Sequence, residues 1–351
     1  MLTSILSFIF VLGLLIFVHE LGHFVTAKMV GIRVERFSLG FPPRMVGFKY
    51  GETDYCISWL PLGGYVKMSG MIDESLDETI TGAPWEFASK PVWQRIIVIS
   101  AGSVMNLLAA VIIYAGLVYF TGIGEPLGAT VGEVLKGKPA ETIGLQSGDV
   151  ITEVKGQPIK TWDDLTKIIH KSPNEEINIK WMHDGKLLSS EVTPELQKEN
   201  DIGLIGIAPK IVMRKAGFGE SISYGFSNSY MIIKLTVGSL KKIITGQESF
   251  RKSIGGPIII YKLTSESAKR GFGTLLAFTA FISLNLGFFN MLPFPVLDGG
   301  HLVLLLLEGV MRKPLPVKTR IVIQKVGMAF LLALMIFILI NDLTRVKDIN
   351  F

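Results

Sequence analysis

The sequence predicts a multi-pass α-helical membrane protein with four transmembrane helices, a membrane-associated β-loop and an inserted α+β domain. Hydrophobic residues make up 49% of the 351-residue chain and its mean hydropathy is +0.45, as is typical of membrane proteins. Four apolar runs approach the roughly 20 residues that a helix needs to cross a bilayer. Between the second and the third run, mixed charges and turn residues separate short alternating segments, as in a compact soluble domain.

The four predicted spans cover residues 1–30, 95–121, 272–307 and 320–341. The first has no charged residue before His19 and no basic segment at its start, so we predict a span rather than a cleaved signal peptide. Prolines and glycines interrupt the third, which predicts a broken helix. Cys56 is the one cysteine of the sequence; it excludes an internal disulfide, and we interpret it as a small apolar filler.

The first span carries His19-Glu-Leu-Gly-His23, an H-E-x-x-H motif. Residues four apart lie on one face of a helix, so the imidazoles of His19 and His23 can bind one zinc ion. Glu20 follows the first histidine and can act as the general base toward a water molecule at such a site. The motif is short and occurs by chance in large proteins, but ionisable residues inside a membrane span indicate a functional site.

A second motif lies in the third span, where Pro293, Pro295 and two glycines interrupt the apolar run around Asp298. Irregular backbone at membrane depth is tolerated where protein buries it or where it lines a wet cavity. A carboxylate there needs compensation, and two histidines, one carboxylate and an open position make a catalytic zinc shell. We therefore predict Asp298 as the third ligand. The alternative is that Asp298 pairs with a cation or caps a helix beginning near His301.

Three polar residues have predicted roles beside this site. Asn290 can donate a hydrogen bond to a developing oxyanion or to the substrate backbone. His301 lies three residues from Asp298, and we expect it to support the site or to begin a helix rather than to bind the metal. Asn106 lies within the apolar second span, where an interhelix hydrogen bond is favoured over a direct catalytic role. Pro293 and Pro295 are assigned structural roles.

Residues 31–94 are too polar to span a bilayer and contain strand-like segments punctuated by glycine and proline. An open strand edge beside the zinc can pair with an extended substrate backbone; a hairpin with no special role is an equally good interpretation. The candidate substrate-binding residues are Gly63, Gly64, Tyr65 and Val66. The acidic residues 73–78 predict a solvated loop.

Two further regions follow the second span. Residues 125–212 predict the inserted α+β domain, in which Thr161 is the candidate N-cap of a helix that runs to His170. A strand precedes a turn at His183, and both histidines are predicted at the surface. Residues 217–256 have lysines among apolar residues at helical spacing, which predicts a helix lying at the membrane surface.

The basic residues predict the orientation of the chain. The connections after the first and third spans are rich in lysine and arginine; with four spans they share one side, which the positive-inside rule makes cytoplasmic. The N-terminus and the inserted domain are then outside. The helix that precedes His19 covers about 27 Å, so the zinc lies toward the cytoplasmic side of the bilayer. Nucleic-acid binding is not expected, because the cations are spread along loops.

These motifs resemble those of the site-2 protease family, the zinc intramembrane metalloproteases, in its bacterial envelope-signalling branch. The matching stretches are residues 19–23, residues 63–66, a Gly-Leu-x-x-Gly-Asp pattern at residues 144–149 similar to a protease-associated PDZ domain, and residues 290–300. The resemblance implies zinc held by His19, His23 and Asp298, with Glu20 as base. It also implies a bacterial inner-membrane enzyme whose substrates are single-span membrane proteins, such as anti-sigma factors or remnant signal peptides.

The resemblance further implies that the β-loop dips into the membrane and holds substrate extended, and that the PDZ domain binds peptide C-termini or restricts access by size. The sequence departs from the family at two places. It has room for one PDZ domain, whereas this branch often has two. Gly102 and Ser103 stand where the family usually has Gly-Pro.

Two other classes of function are consistent with parts of the pattern. A membrane scaffold or receptor with a peptide-binding PDZ domain would use its zinc site structurally, and a structural zinc site has all four positions closed by protein ligands. The sequence offers no fourth ligand nearby unless His301 serves, which favours the enzyme. A transporter with broken helices predicts inverted repeats, which the sequence does not show.

Overall fold

The structure is a computed structural model of the chain that describes residues 2–72, 80–197 and 201–348. The predicted acidic loop at residues 73–78 therefore lies outside the described residues. Two compact units are present: Met1–Leu117 together with Phe218–Phe351, and Val118–Gly217.

The secondary structure of the described residues alternates long helices with two β-rich regions. The helices are α1 Leu2–Met29, α2 Val92–Thr121, α3 Pro139–Thr142, α4 Trp162–His170, α5 Phe218–Ile244, α6 Phe250–Ser253, α7 Pro257–Lys269, α8 Phe272–Asn290, α9 Asp298–Met311 and α10 Val317–Asp348, with a short 3-10 turn at Phe87–Ser89. The strands are β1 Val34–Tyr50, β2 Thr53–Met68, β3 Ile123–Val134, β4 Val150–Val154, β5 Gln157–Pro158, β6 Ile177–His183, β7 Lys186–Val192, β8 Glu195–Gln197, β9 Ile202–Leu204 and β10 Ile207–Arg214.

Four described helices, α1, α2, α8 and α10, are long and apolar enough to cross a membrane. The third span, predicted over residues 272–307, is two separate helices. α8 ends at Asn290 and α9 begins at Asp298. The interruption contains the two prolines, as predicted, because proline has no backbone N–H to donate and a fixed φ. α9 has 14 residues and is about 21 Å long, too short for a full crossing.

The region predicted as a surface helix, residues 217–256, contains the helices α5 and α6. α5 packs along the sides of α2 and α8: a Cβ added at Gly225 would lie 2.6 Å from the Val111 carbonyl oxygen, and the Thr236 hydroxyl donates to Asn285 Oδ1 at 3.1 Å. Glycine, serine and threonine permit this close helix approach. α5 therefore lies against these two helices, and its place at the membrane surface stays a prediction.

The helix α7, which the sequence did not predict, follows Gly255 and Gly256 and begins at Pro257. Its N-terminus is capped from α10, because the Asp342 carboxylate accepts hydrogen bonds from the backbone N–H groups of Gly256, Ile258 and Ile259 at 2.9, 3.1 and 3.2 Å. A carboxylate at a helix N-terminus satisfies donors that have no partner within the helix. The residues just before this helix supply no side-chain cap for it, because the cap comes from a distant part of the chain.

The β-loop is an antiparallel pair of long strands, β1 and β2, that fold back on themselves. Phe37 is paired with both Tyr55 and Val66, and Leu39 with both Ile57 and Gly64. The first half of β1 therefore lies between the two halves of β2. As a result, the end of β2 that contains Gly64 and Val66 is an outer strand of this small sheet.

The unit Val118–Gly217 is an α+β domain that contains the predicted 125–212 segment. Its main sheet has the order β10-β3-β4-β6-β7, with β5 on β4, and β8 pairs with β9. The core is built from the apolar faces of these strands and α4, including Ile151, Leu165 and Trp181. Thr161 caps α4 as predicted: its hydroxyl accepts from the Asp164 N–H, and the Asp164 carboxylate accepts from the Thr161 N–H.

Candidate metal centre

Three potential metal ligands converge between α1 and the start of α9. His19 Nε2 and His23 Nε2 are 3.2 Å apart, and each lies 3.5 Å from an Asp298 carboxylate oxygen. Ligand atoms at 2.0–2.1 Å from a tetrahedral zinc are themselves about 3.4 Å apart. The spacing and the chemistry of these donors therefore fit a zinc ion.

The approach of α1 to α2 brings the histidines into place. Gly22 lies between them in sequence, and a Cβ added there would be 2.5 Å from the Ala101 carbonyl oxygen. A Cβ added at Gly102 would be 2.3 Å from His23 Nε2. Both glycines are required because a side chain at either position would separate the helices or displace the imidazole.

Hydrogen bonds from α2 reach all three potential ligands. His23 Nδ1 donates to the Val98 carbonyl at 2.8 Å, and the Ser103 hydroxyl donates to Asp298 Oδ2 at 2.7 Å. The Asn106 amide lies 3.2 Å from His19 Nδ1, so the polar residue expected to bond between helices does contact a neighbouring helix. The sequence marks Ser103 only as a departure from the family's Gly-Pro and does not predict it as a site residue.

A cavity of about 420 Å³ opens beside the three potential ligands. Glu20 and Asn290 line it, and so do His301 and residues 63–66 of the β-loop. His301 Nε2 also lies 3.1 Å from Gln324 Nε2 on α10. Among the described residues, the one group of His, Cys, Asp or Glu spaced to hold a metal consists of His19, His23 and Asp298.

The β-loop passes close to α1 at this cavity. A Cβ added at Gly64 would lie 2.7 Å from Ile16 Cγ2 and 3.0 Å from Glu20 Cγ, so glycine is needed for the strand to run beside the helix. The ring of Tyr65 stacks on that of Phe41. The outer strand of the small sheet is thus held next to the candidate base.

The break between α8 and α9 places Asp298 at the first position of α9. The Leu297 N–H donates to the Phe294 carbonyl at 3.2 Å, which closes a turn with Pro295 and Val296 at its centre. Val296 has φ +79°, a value that β-branched residues rarely adopt. Pro293 lies in the same break, and Pro295 packs against Gly327 of α10, where an added Cβ would be 2.4 Å from Pro295 Cβ.

Apolar helices of membrane-spanning length, together with an H-E-x-x-H helix and a carboxylate at a helix break, define the class of intramembrane metalloproteases. The chain belongs to Peptidase family M50, whose profile matches residues 7–334. This confirms the resemblance to the site-2 proteases that the two motifs predicted, and it identifies the chain as a zinc metalloprotease.

The similarity to individual relatives extends over nearly the whole chain. A Clostridium perfringens protein, provisionally named a zinc metalloprotease, is 37% identical over 94% of this chain and 95% of its own length. The regulator of sigma-W protease RasP of Bacillus subtilis is 30% identical over 97% of this chain and 98% of its own length. A solved PDZ domain of an SdrC-like protein from Listeria innocua is 29% identical and covers 23% of this chain and 92% of its own, with a TM-score of 0.22; a score this low does not define a fold.

Proposed function

We propose that this zinc intramembrane protease cleaves single-span membrane proteins, such as anti-sigma factors or remnant signal peptides, within their transmembrane segments. The observation that carries the proposal is the convergence of His19, His23 and Asp298 on a cavity that Glu20 and the outer strand of the β-loop also line. A site built on apolar helices receives a substrate segment from the lipid layer. The name of the Bacillus subtilis relative, regulator of sigma-W protease, supports anti-sigma factors as the substrate class.

The side chains divide the chemistry among them. His19, His23 and Asp298 would hold zinc, which when bound would supply Lewis-acid chemistry. Glu20 takes a proton from the attacking water and transfers it to the leaving amide nitrogen. Asn290, which also lines the cavity, donates a hydrogen bond to the substrate carbonyl or its developing oxyanion.

The substrate must be extended before it is cut, because a helix hides its peptide bonds in internal hydrogen bonds. The outer strand that contains Gly63, Gly64, Tyr65 and Val66 offers backbone groups next to the cavity. Addition of the substrate as a further strand would compensate for the lost helical hydrogen bonds. Helix-weakening residues in the substrate would lower the cost of unwinding.

The orientation follows from the basic connections. Lys28 lies in the last turn of α1 and Arg33 and Arg36 follow it, while Arg312 and Lys313 follow α9. By the positive-inside rule these ends would lie on the cytoplasmic side of a bacterial inner membrane. The N-terminus and the inserted domain are then outside. In that position the domain binds exposed C-termini of substrates or restricts access to the zinc site by substrate size.

The test is proteolysis of a single-span substrate in detergent or vesicles by the purified full chain. Glu20→Gln should keep its zinc and lose at least about 100-fold in rate, the usual contribution of general acid–base catalysis, and a chelator should abolish wild-type turnover. Glu266→Gln on α7 is the matched control and should cleave normally. A Glu20→Gln rate within tenfold of wild type would exclude the general-base role, and zinc-loaded wild type that leaves every membrane substrate intact would exclude the proposed function.

A further inference from the structure

The helix α2 contributes a hydrogen-bonding group to each potential ligand, although the ligands themselves lie on α1 and α9. Val98, Ser103 and Asn106 provide, respectively, a carbonyl for His23, a hydroxyl for Asp298 and an amide for His19. At 100° per residue these three positions fall within about 140° of one face of the helix. One helix face thus contacts the whole ligand set.

The two α2 side chains are buried, and a further helix contacts Asn106. Ser103 and Asn106 have no exposed surface, and the Ser283 hydroxyl of α8 donates to the backbone carbonyl of Asn106 at 2.7 Å. Hydrogen bonds made by such buried groups restrict the orientation of their partners. The absence of a side chain at Gly102 leaves space for the His23 ring.

The ring nitrogens of His19 decide how the Asn106 amide must point. His19 Nε2 faces His23 and Asp298, so a metal bound there leaves the proton on Nδ1, which must donate. An amide fits sterically in either orientation, and its hydrogen bonds determine which one is adopted. In the orientation with Nδ2 toward the His19 ring, Asn106 Oδ1 is buried and has no hydrogen-bond partner among the described residues. The reverse orientation turns this oxygen toward Nδ1 as an acceptor.

We propose that α2 is the positioning helix of the metal centre: Ser103 holds the Asp298 carboxylate and the Asn106 amide oxygen holds the His19 imidazole in the orientation that binds zinc. The inference rests on the zinc site of the proposed function and assigns two positioning residues to it. Groups that orient metal ligands contribute 10–100-fold to metal affinity in other metalloproteins, as an order of magnitude.

The test measures zinc affinity of the purified full chain by competition with a chromophoric chelator, separately from proteolysis. Ser103→Ala should weaken binding about 10–100-fold, while Ser103→Thr, which keeps the hydroxyl, should restore it. Ser100→Ala is the matched control, since the Ser100 hydroxyl donates to the Ile96 carbonyl of its own helix at 2.9 Å. Its zinc affinity should equal that of wild type.

The two orientations of the amide are separated by Asn106→Asp and Asn106→Leu. Asp keeps an acceptor for Nδ1–H and should retain zinc affinity, whereas Leu should lose it; loss with both variants would show that the amide nitrogen is the group in contact. The absorption bands of the cobalt-substituted protein should shift in Ser103→Ala and Asn106→Leu and stay unchanged in Ser100→Ala.

Zinc affinities of Ser103→Ala and Asn106→Leu that match the Ser100→Ala control would overturn the proposal. So would equal losses in Ser103→Ala and Ser103→Thr, because packing rather than the hydroxyl would then be responsible. These outcomes are independent of turnover. A wild-type protein that binds zinc but cuts no membrane substrate would refute the proposed function and leave the affinity comparison intact.

Discussion

The two ends of α9 carry carboxylates with different kinds of partner. At the C-terminal end, Glu308 accepts from Arg95 Nη1 at 2.8 Å, forms an ion pair with Arg320 and accepts from the Leu315 N–H at 2.9 Å. At the N-terminal end, the described contacts of Asp298 are with two imidazoles and a hydroxyl. One carboxylate is neutralised by protein cations, whereas the other contacts groups that can bind a metal ion or orient its ligands.

This difference distinguishes a structural charge from a functional one. The side chains of Arg95 and Glu308 are 8% and 2% exposed, so this ion pair is shielded from solvent. Asp298 instead borders the 420 Å³ cavity. Because an uncompensated carboxylate among apolar helices is costly, the Asp298 end gains from a bound cation, whereas the Glu308 end does not.

The largest expected effect comes from removing the charge at the Asp298 end. Asp298→Asn should reduce the zinc content of the purified protein to background, because an amide is a poor replacement for an anionic ligand of zinc. Metal analysis after gel filtration measures this directly. Unchanged zinc stoichiometry would mean that another residue is the third ligand, and Glu308→Gln should keep full zinc content.

Removing the charge at the other end should affect stability instead. Glu308→Gln leaves the buried guanidinium of Arg95 and the partly buried one of Arg320 without their carboxylate, which should cost about 3–5 kcal/mol of unfolding free energy. Denaturant or thermal unfolding in detergent measures the change. The exposed pair of Lys242 and Glu248, at 3.2 Å, is the control, and Glu248→Gln should cost less than about 1 kcal/mol.

The backbone at the two ends of α9 also differs. Arg312 closes the helix at φ +53°, the left-handed conformation common after helix C-termini, whereas Val296 adopts φ +79° two residues before Asp298. Val296→Gly should stabilise the protein by about 1 kcal/mol, since strain of about 1–3 kcal/mol is relieved against the entropy of glycine. Leu297→Gly, at φ −82°, should destabilise it in the same unfolding measurement; equal effects would argue against strain.

A third histidine–carboxylate pair, outside the helices, shows how the same chemistry behaves in water. A hydrogen bond from His183 Nδ1 to Asp149 at 2.7 Å raises the pKa of the imidazole above its usual 6.5. Since the folded-state pKa is raised, the stabilisation is fully present below pH 6.5 and is lost as the pH rises through the folded value. NMR titration of the full chain should show this shift, and Asp149→Asn should bring the pKa back; an unshifted wild-type value would contradict the pairing.

The sequence could predict those site residues that are close to one another in the chain or that stand out from the composition around them. His19 and His23 meet because residues four apart share a helix face, and the break before Asp298 follows from two prolines in an apolar run. Ser103 could not be predicted, because its partner Asp298 is 195 positions away and no periodicity links them. α7 was missed for the same reason, since its cap is supplied by Asp342.

The arrangement of α5 shows the same limit. Its lysines and apolar residues have the composition of a surface helix, and only the packing of Gly225 and Thr236 against two other helices places it beside them. Short-range rules cannot weigh such contacts, since they depend on which surfaces are brought together.

By itself the sequence determined the apolar helices, the pair of histidines, the helix break and the family, because each depends on residue type and near-neighbour spacing. The tertiary structure decided that Asp298 meets the histidines, that Ser103 and Asn106 of α2 contact the ligands, and that an outer strand borders the cavity. These depend on contacts between segments far apart in the chain, and the close approach of helices through glycine and other small side chains selects them.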